Sequence, residues 1–124
     1  MRAITLAFVS LCLHSAPAHA KPGDMKLTQF MPTVQKLKKN GILAPLSGEM
    51  KVVRREVRGA ADDYRARIKR DKAAGRNPHS CPPKKGSMNS KELLAHFESY
   101  PKSRYASVSV RTAFNDLMKK KYPC

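Results

Sequence analysis

Two cysteines frame the last third of this chain: Cys81 opens the stretch and Cys124 closes the sequence. Ahead of them, Met1 to Ala20 has the three parts of a secretory leader. Arg2 gives the positive start, Ala3 to Leu13 is an apolar run, and Ala18-His19-Ala20 offers small residues around a cleavage point just after Pro17. The apolar run is too short for a stable bilayer anchor. Leu11 stands before Cys12, where a lipid-attachment signal wants a small residue, so Cys12 is expected to leave with a cleaved leader. The mature chain then keeps an even two cysteines in an oxidising compartment, and a Cys81–Cys124 disulfide is expected. Chain entropy assigns roughly 4 kcal/mol to closing a loop of about 43 residues. Net stabilities are typically only about 5–15 kcal/mol, so such a bond is a large share.

The remaining residues, 21–124, make one small domain whose core is modest enough for a disulfide to matter. Lys21 to Lys26, with Pro22 and Gly23, reads as a mobile lead-in. Leu27, Phe30, Met31, Val34 and Leu37 recur at helical spacing, with Pro32 marking either the start of that helix or a kink, and Asn40-Gly41 a stop. Ser47 is a fair N-cap for the longest helix, with Glu49 in its first turn. Met50, Val53, Val57, Ala60, Ala61, Tyr64 and Ile68 form one apolar stripe, and the helix ends near Gly75. Lys51, Arg54, Arg55, Arg58, Arg65, Arg67, Lys69 and Arg70 are assigned to the opposite face. Gly59 costs about 1 kcal/mol relative to alanine inside a helix, and is either tolerated or admits another helix closely.

Residues 75–86 hold Asn77-Pro78, Pro82-Pro83 and Lys84-Lys85 and read as a loop. Asn89 and Glu92 have capping-box spacing, and Met88 and Leu93 occupy the staple positions around it. Leu93, Leu94, Phe97 and Tyr100 continue that helix until Pro101. Ser103 is expected to cap a last helix bearing Ala106, Val110, Ala113, Phe114 and Leu117, with Lys119 to Lys121 at its C-terminal end. A short strand at Val108 and Val110 is the alternative there, though nothing nearby offers it a partner. The expected fold is all-α: a small bundle of about four helices with one disulfide, after a signal peptide.

The framework Cys81-Pro82, Asn89, Glu92-Leu93, Tyr100-Pro101 and Tyr122-Pro123-Cys124 resembles the C-terminal pattern of Rap/Tai-type immunity proteins. That pattern is a cysteine and proline, a capped helix, an aromatic or leucine before a proline, a second helix and a closing Pro-Cys. Val57, Gly59 and Asp62 match an upstream family stretch loosely, whereas Arg55 and Glu56 stand where the family has a glycine and an aromatic. The further cysteine common in the family's central helix is lacking. The resemblance covers about the last third of the chain. It implies a small helical periplasmic protein that protects a bacterium from a type VI secretion toxin, in the best-known cases a peptidoglycan amidase whose cleft it occludes.

No constellation of residues points to catalysis. His79 adjoins Cys81, but a disulfide to Cys124 would consume that thiol; His96 is within a turn of Glu92 and reads as structural. Two cysteines so far apart do not make a zinc site, and Asp62-Asp63 on a helix point in different directions, so neither a metal nor a cofactor is expected. The formal net charge is +16, or about +15 without Arg2, which favours anionic partners. Export argues against genomic nucleic acid as the natural partner. The leading expectation is a protein that binds a cognate toxin through exposed arginines, chiefly Arg54, Arg58 and Arg65, and through Lys84 and Lys85 beside the disulfide. Tyr64, Phe97, Phe114 and Tyr122 are assigned to the core. The rival is a basic envelope protein associating weakly with an anionic polymer or membrane surface; a homodimer is compatible with either.

Overall fold

A computed structural model describes residues 20–124; the leader read at Met1 to Ala20, Cys12 included, lies outside the described residues except for its last position. Four helices follow in order: α1 (Leu27–Asn40), α2 (Gly48–Ala73), α3 (Ser90–Glu98) and α4 (Val110–Lys121). Tight 3-10 turns occupy Gly41–Leu46 and Lys102–Arg104. Among the described residues there is no strand, and the pairing at Lys26 and Ser109 is an isolated bridge. The fold is therefore all-helical, and Cys81 and Cys124 are bonded with their Cα atoms 5.0 Å apart. That bond ties the loop after α2 to the end of α4, where the Cys81 N–H also donates to the Tyr122 carbonyl at 2.8 Å.

Helix α1 starts five residues before Pro32, which lies exposed inside it. Its N-terminus has no side-chain cap, because Lys26 cannot accept a bond from the first turn. The free N–H groups are instead taken up by a distant segment: Leu27 donates to the Val108 carbonyl at 2.9 Å and Thr28 to that of Tyr105 at 3.2 Å. The reverse holds at α4, where Val110 donates to Met25 and Arg111 to Gly23, at 2.9 and 2.8 Å. A helix start must satisfy about four such donors, and here two helix starts satisfy part of each other's need.

Two expectations fail at this point. The last helix is capped by Ser109, whose Oγ accepts the Thr112 N–H at 3.1 Å, and not by Ser103; Ala106 is exposed in the preceding turn. The valine at 108 carries the pull of a strand but spends its carbonyl on α1, which delays the helix to residue 110. The lead-in before Leu27 is not mobile. Gly23 is buried and donates its N–H to Glu56 Oε2 at 2.7 Å, Met25 donates to the same oxygen at 3.2 Å, and Arg111 reaches the Pro22 carbonyl at 3.1 Å and Asp24 at 2.8 Å.

That strap also explains Gly59. A Cβ there would fall 2.5 Å from the Pro22 carbonyl oxygen, so the close approach is made by the lead-in and not by another helix. The other caps match the sequence reading. Ser47 accepts the Met50 N–H at 3.2 Å, and Asn89 accepts that of Glu92 at 2.8 Å. Only half of the capping box forms, since the Glu92 carboxylate pairs with Lys121 at 2.6 Å.

The core joins one side of each helix. Phe30 meets Phe97 edge-on at 5.7 Å between centroids, and Tyr64 meets Phe114 at 6.0 Å. Leu27, Met31, Val34, Ala60, Ile68, Leu93, Val110, Ala113 and Leu117 complete it with Val108. Tyr122 is only half-buried, with its hydroxyl donating to the Ser87 carbonyl.

Candidate functional site

The apolar stripe expected on α2 divides in two. Ala60, Tyr64 and Ile68 enter the core together with Glu56, while Met50, Val53, Val57 and Ala61 stay half-buried. The second line is left open because α3 packs mainly on α4 and stands off α2. Between α1, α2 and α3 this leaves a groove of about 750 Å³. Val34 and Leu37 of α1 and Leu93 and Leu94 of α3 form the rest of its apolar lining.

Arg54, Arg58 and Arg65 line the groove as well, beside Lys38 and Asp62. They are therefore not on the face opposite the apolar residues, as their spacing had implied. Arg54 and Arg58 directly follow the half-buried Val53 and Val57 in sequence, and so they flank the opening. Arg65 pairs with Asp62 at 2.8 Å, and Lys38 pairs with Glu98 at 2.8 Å across to α3. Arg54 and Arg58 have no carboxylate partner among the described residues. The groove thus has an apolar lining and an unmatched positive edge. Exposed pairs such as Arg65–Asp62 typically contribute only about 0–1 kcal/mol, so Arg65 can exchange its partner at little cost.

Lys84 and Lys85 are exposed on the turn closed by Gly86 N–H to the Pro83 carbonyl at 3.0 Å, beside the disulfide and outside the groove. The structure does not join them to the three arginines. Asp63 pairs with Arg111 of α4 at 3.5 Å, not with an arginine of its own helix.

The histidines sit in separate places. His79 Nδ1 lies 2.9 Å from the Tyr64 hydroxyl, which also lies 2.5 Å from the buried Ser80 Oγ. Desolvation pushes His79 below its ordinary pKa, helped by Arg67, and pushes Tyr64 above its own. His96 lines a smaller hollow of about 410 Å³ with Glu92, Leu117, Lys120 and Lys121. Its Nε2 is buried without a partner, and desolvation lowers its pKa, with Lys120 adding to the effect. Among the described residues no group of three or more His, Cys, Asp or Glu could hold a metal ion, and no helix is long and apolar enough to cross a membrane.

Sequence reasoning missed Glu56 as a functional part of the fold. The signal was present: positions 56, 60 and 64 recur at helical spacing, and a carboxylate on a buried line must find donors. Compared with protein-family models, curated proteins and solved structures, the chain matches none of them.

Proposed function

We propose that this chain is an exported immunity protein of the Rap/Tai type that binds a type VI secretion toxin in the periplasm and inhibits it without catalysis. The observation that carries the reading is the open groove between α1, α2 and α3, with its apolar lining and the unpaired guanidinium groups of Arg54 and Arg58. Such a surface suits a protein partner: desolvated apolar contacts supply affinity, and charge steers encounter and sets register. The Cys81–Cys124 frame of the resemblance is consistent with the same family. A toxin acting on peptidoglycan, an amidase in particular, is the partner that the resemblance implies.

A second reading rests on the charge. A formal +16, with most of α2 outside the groove exposed and basic, also suits an anionic envelope polymer or membrane surface. Ionic strength separates the two. A shape-complementary protein complex keeps much of its affinity at high salt, whereas attraction by exposed charge collapses.

The deciding experiment is periplasmic co-expression with the product of each neighbouring open reading frame, scored by cell lysis. Rescue from one toxic neighbour, with a co-purifying complex, supports immunity. A toxic neighbour that kills regardless, or none that is toxic, leaves the anionic-envelope reading.

A further inference from the structure

We infer that the groove receives an acidic amphipathic helix of the partner, an apolar ridge flanked by carboxylates. The inference rests on the toxin-binding role proposed above and specifies what that site takes.

Length comes first. The groove-lining positions of α2 run from Met50 to Arg65, about 22 Å at 1.5 Å per residue, or roughly four helical turns. Their spacing repeats along that line, as 50, 53, 57 and 61, so the half-buried residues present pockets one turn apart. A second helix whose apolar residues recur as i, i+3, i+4, i+7 and i+11 meets that repeat along its whole length. An extended peptide would need only about seven residues to cover the same distance, with its side chains pointing alternately in and out and its backbone unpaired.

Charge comes second. Four cations line the groove, Lys38, Arg54, Arg58 and Arg65, and two of them are already paired with carboxylates. Arg54 and Arg58 lie one turn apart on the same edge with no partner among the described residues, so the free charge is positive and directional. Carboxylates one turn apart on the incoming helix match both, and guanidinium can engage each through two parallel hydrogen bonds. A basic or neutral amphipathic helix would bury that edge uncompensated.

The test uses the purified protein and a synthetic 16-residue helical peptide with leucines at i, i+3, i+4, i+7 and i+11 and glutamates on both flanks. Two control peptides replace the glutamates by lysine or the leucines by serine. Binding is read by fluorescence anisotropy at physiological salt. The protein should bind the glutamate–leucine peptide about tenfold or more tightly than either control. Arg54→Glu/Arg58→Glu should reverse the preference toward the lysine peptide. Lys51→Glu/Arg55→Glu, the same charge change on exposed positions outside the groove, should leave it unchanged.

Equal binding of all three peptides, no binding of the first, or equal losses in the two charge-reversed variants would overturn the inference. Co-expression with the toxin separates it from the immunity role. A toxin neutralised equally well by Arg54→Glu/Arg58→Glu removes the groove and leaves immunity standing. The expected peptide preference in a protein that protects against no toxin removes immunity and leaves the groove.

Discussion

The carboxylate of Glu56, in the N-terminal half of α2, accepts the backbone N–H of Gly23 at 2.7 Å and is buried there. A buried position is an expensive place for a carboxylate, and the arrangement works because a second donor, the N–H of Met25, reaches the same oxygen. Through this contact the segment before α1 becomes part of the packed structure.

Glu56→Ala should therefore destabilise the protein by about 2–4 kcal/mol, since it strands the buried Gly23 N–H as well as removing charged hydrogen bonds. Glu56→Gln keeps one acceptor oxygen and should cost less. Urea unfolding of both variants checks the order. Amide exchange at Gly23 and Met25 should quicken in the alanine variant while exchange in the interior of α3 barely changes.

Gly59→Ala should also destabilise, by about 1–3 kcal/mol, although alanine is the better helix former by about 1 kcal/mol. The added methyl group meets the Pro22 backbone, which cannot rotate aside as a long side chain can. Gly48→Ala is the control, because a Cβ there meets nothing within 4 Å. A gain in thermal midpoint at position 59 would show that the lead-in shifts easily.

Cys124→Ser should cost about 2–5 kcal/mol, set by the length of loop that the bond closes. For a domain of this size that is a fall of roughly 10 °C or more in Tm. Reduced and oxidised wild-type protein should differ similarly, and equal midpoints would contradict the role of the bond.

Stability should form a plateau between two titrations. Desolvation lowers His79 and His96 from 6.5, so below about that pH the unfolded chain takes up protons that the folded one resists, and stability falls with acid. At the alkaline side, burial raises Tyr64 and Tyr100 from 10.0, so the unfolded chain loses those protons first and stability falls as pH rises. Lys121, raised from 10.5 chiefly by its hydrogen bond to Glu92, acts in the same direction: its contribution is complete below that pH and disappears above it. Denaturation midpoints measured from pH 5 to 11 check both limbs, and His96→Gln should flatten the acid one.

The helices, their approximate ends and the disulfide were legible in the sequence because each rests on local or countable signals. Ser47 and Asn89 are capping residues whose bonds close within three positions, and the α1 stripe from Leu27 to Val34 repeats at the helical period. Cys81 and Cys124 are the two cysteines outside the stretch read as a leader, which leaves one partner for each. What local signals cannot carry is a bond made across the fold. Lys26 looks like no helix cap, and the donors it leaves free are met by Tyr105 and Val108, some eighty residues away. Ser103 and Ser109 are equally good caps by composition, and only the pairing of residues 105–108 with α1 decides between them.

The groove follows the same rule. Its lining residues could be named from the sequence as apolar and basic, and Arg54, Arg58 and Arg65 were singled out as candidates. That they flank one opening depends on α3 being held by α4 and away from α2, which no periodicity encodes. The sequence by itself determined which segments coil and which side of each avoids water, because those are properties of neighbouring residues. Tertiary structure decided which half-buried line stayed uncovered and which buried carboxylate held the strap, because both depend on where distant elements come to rest.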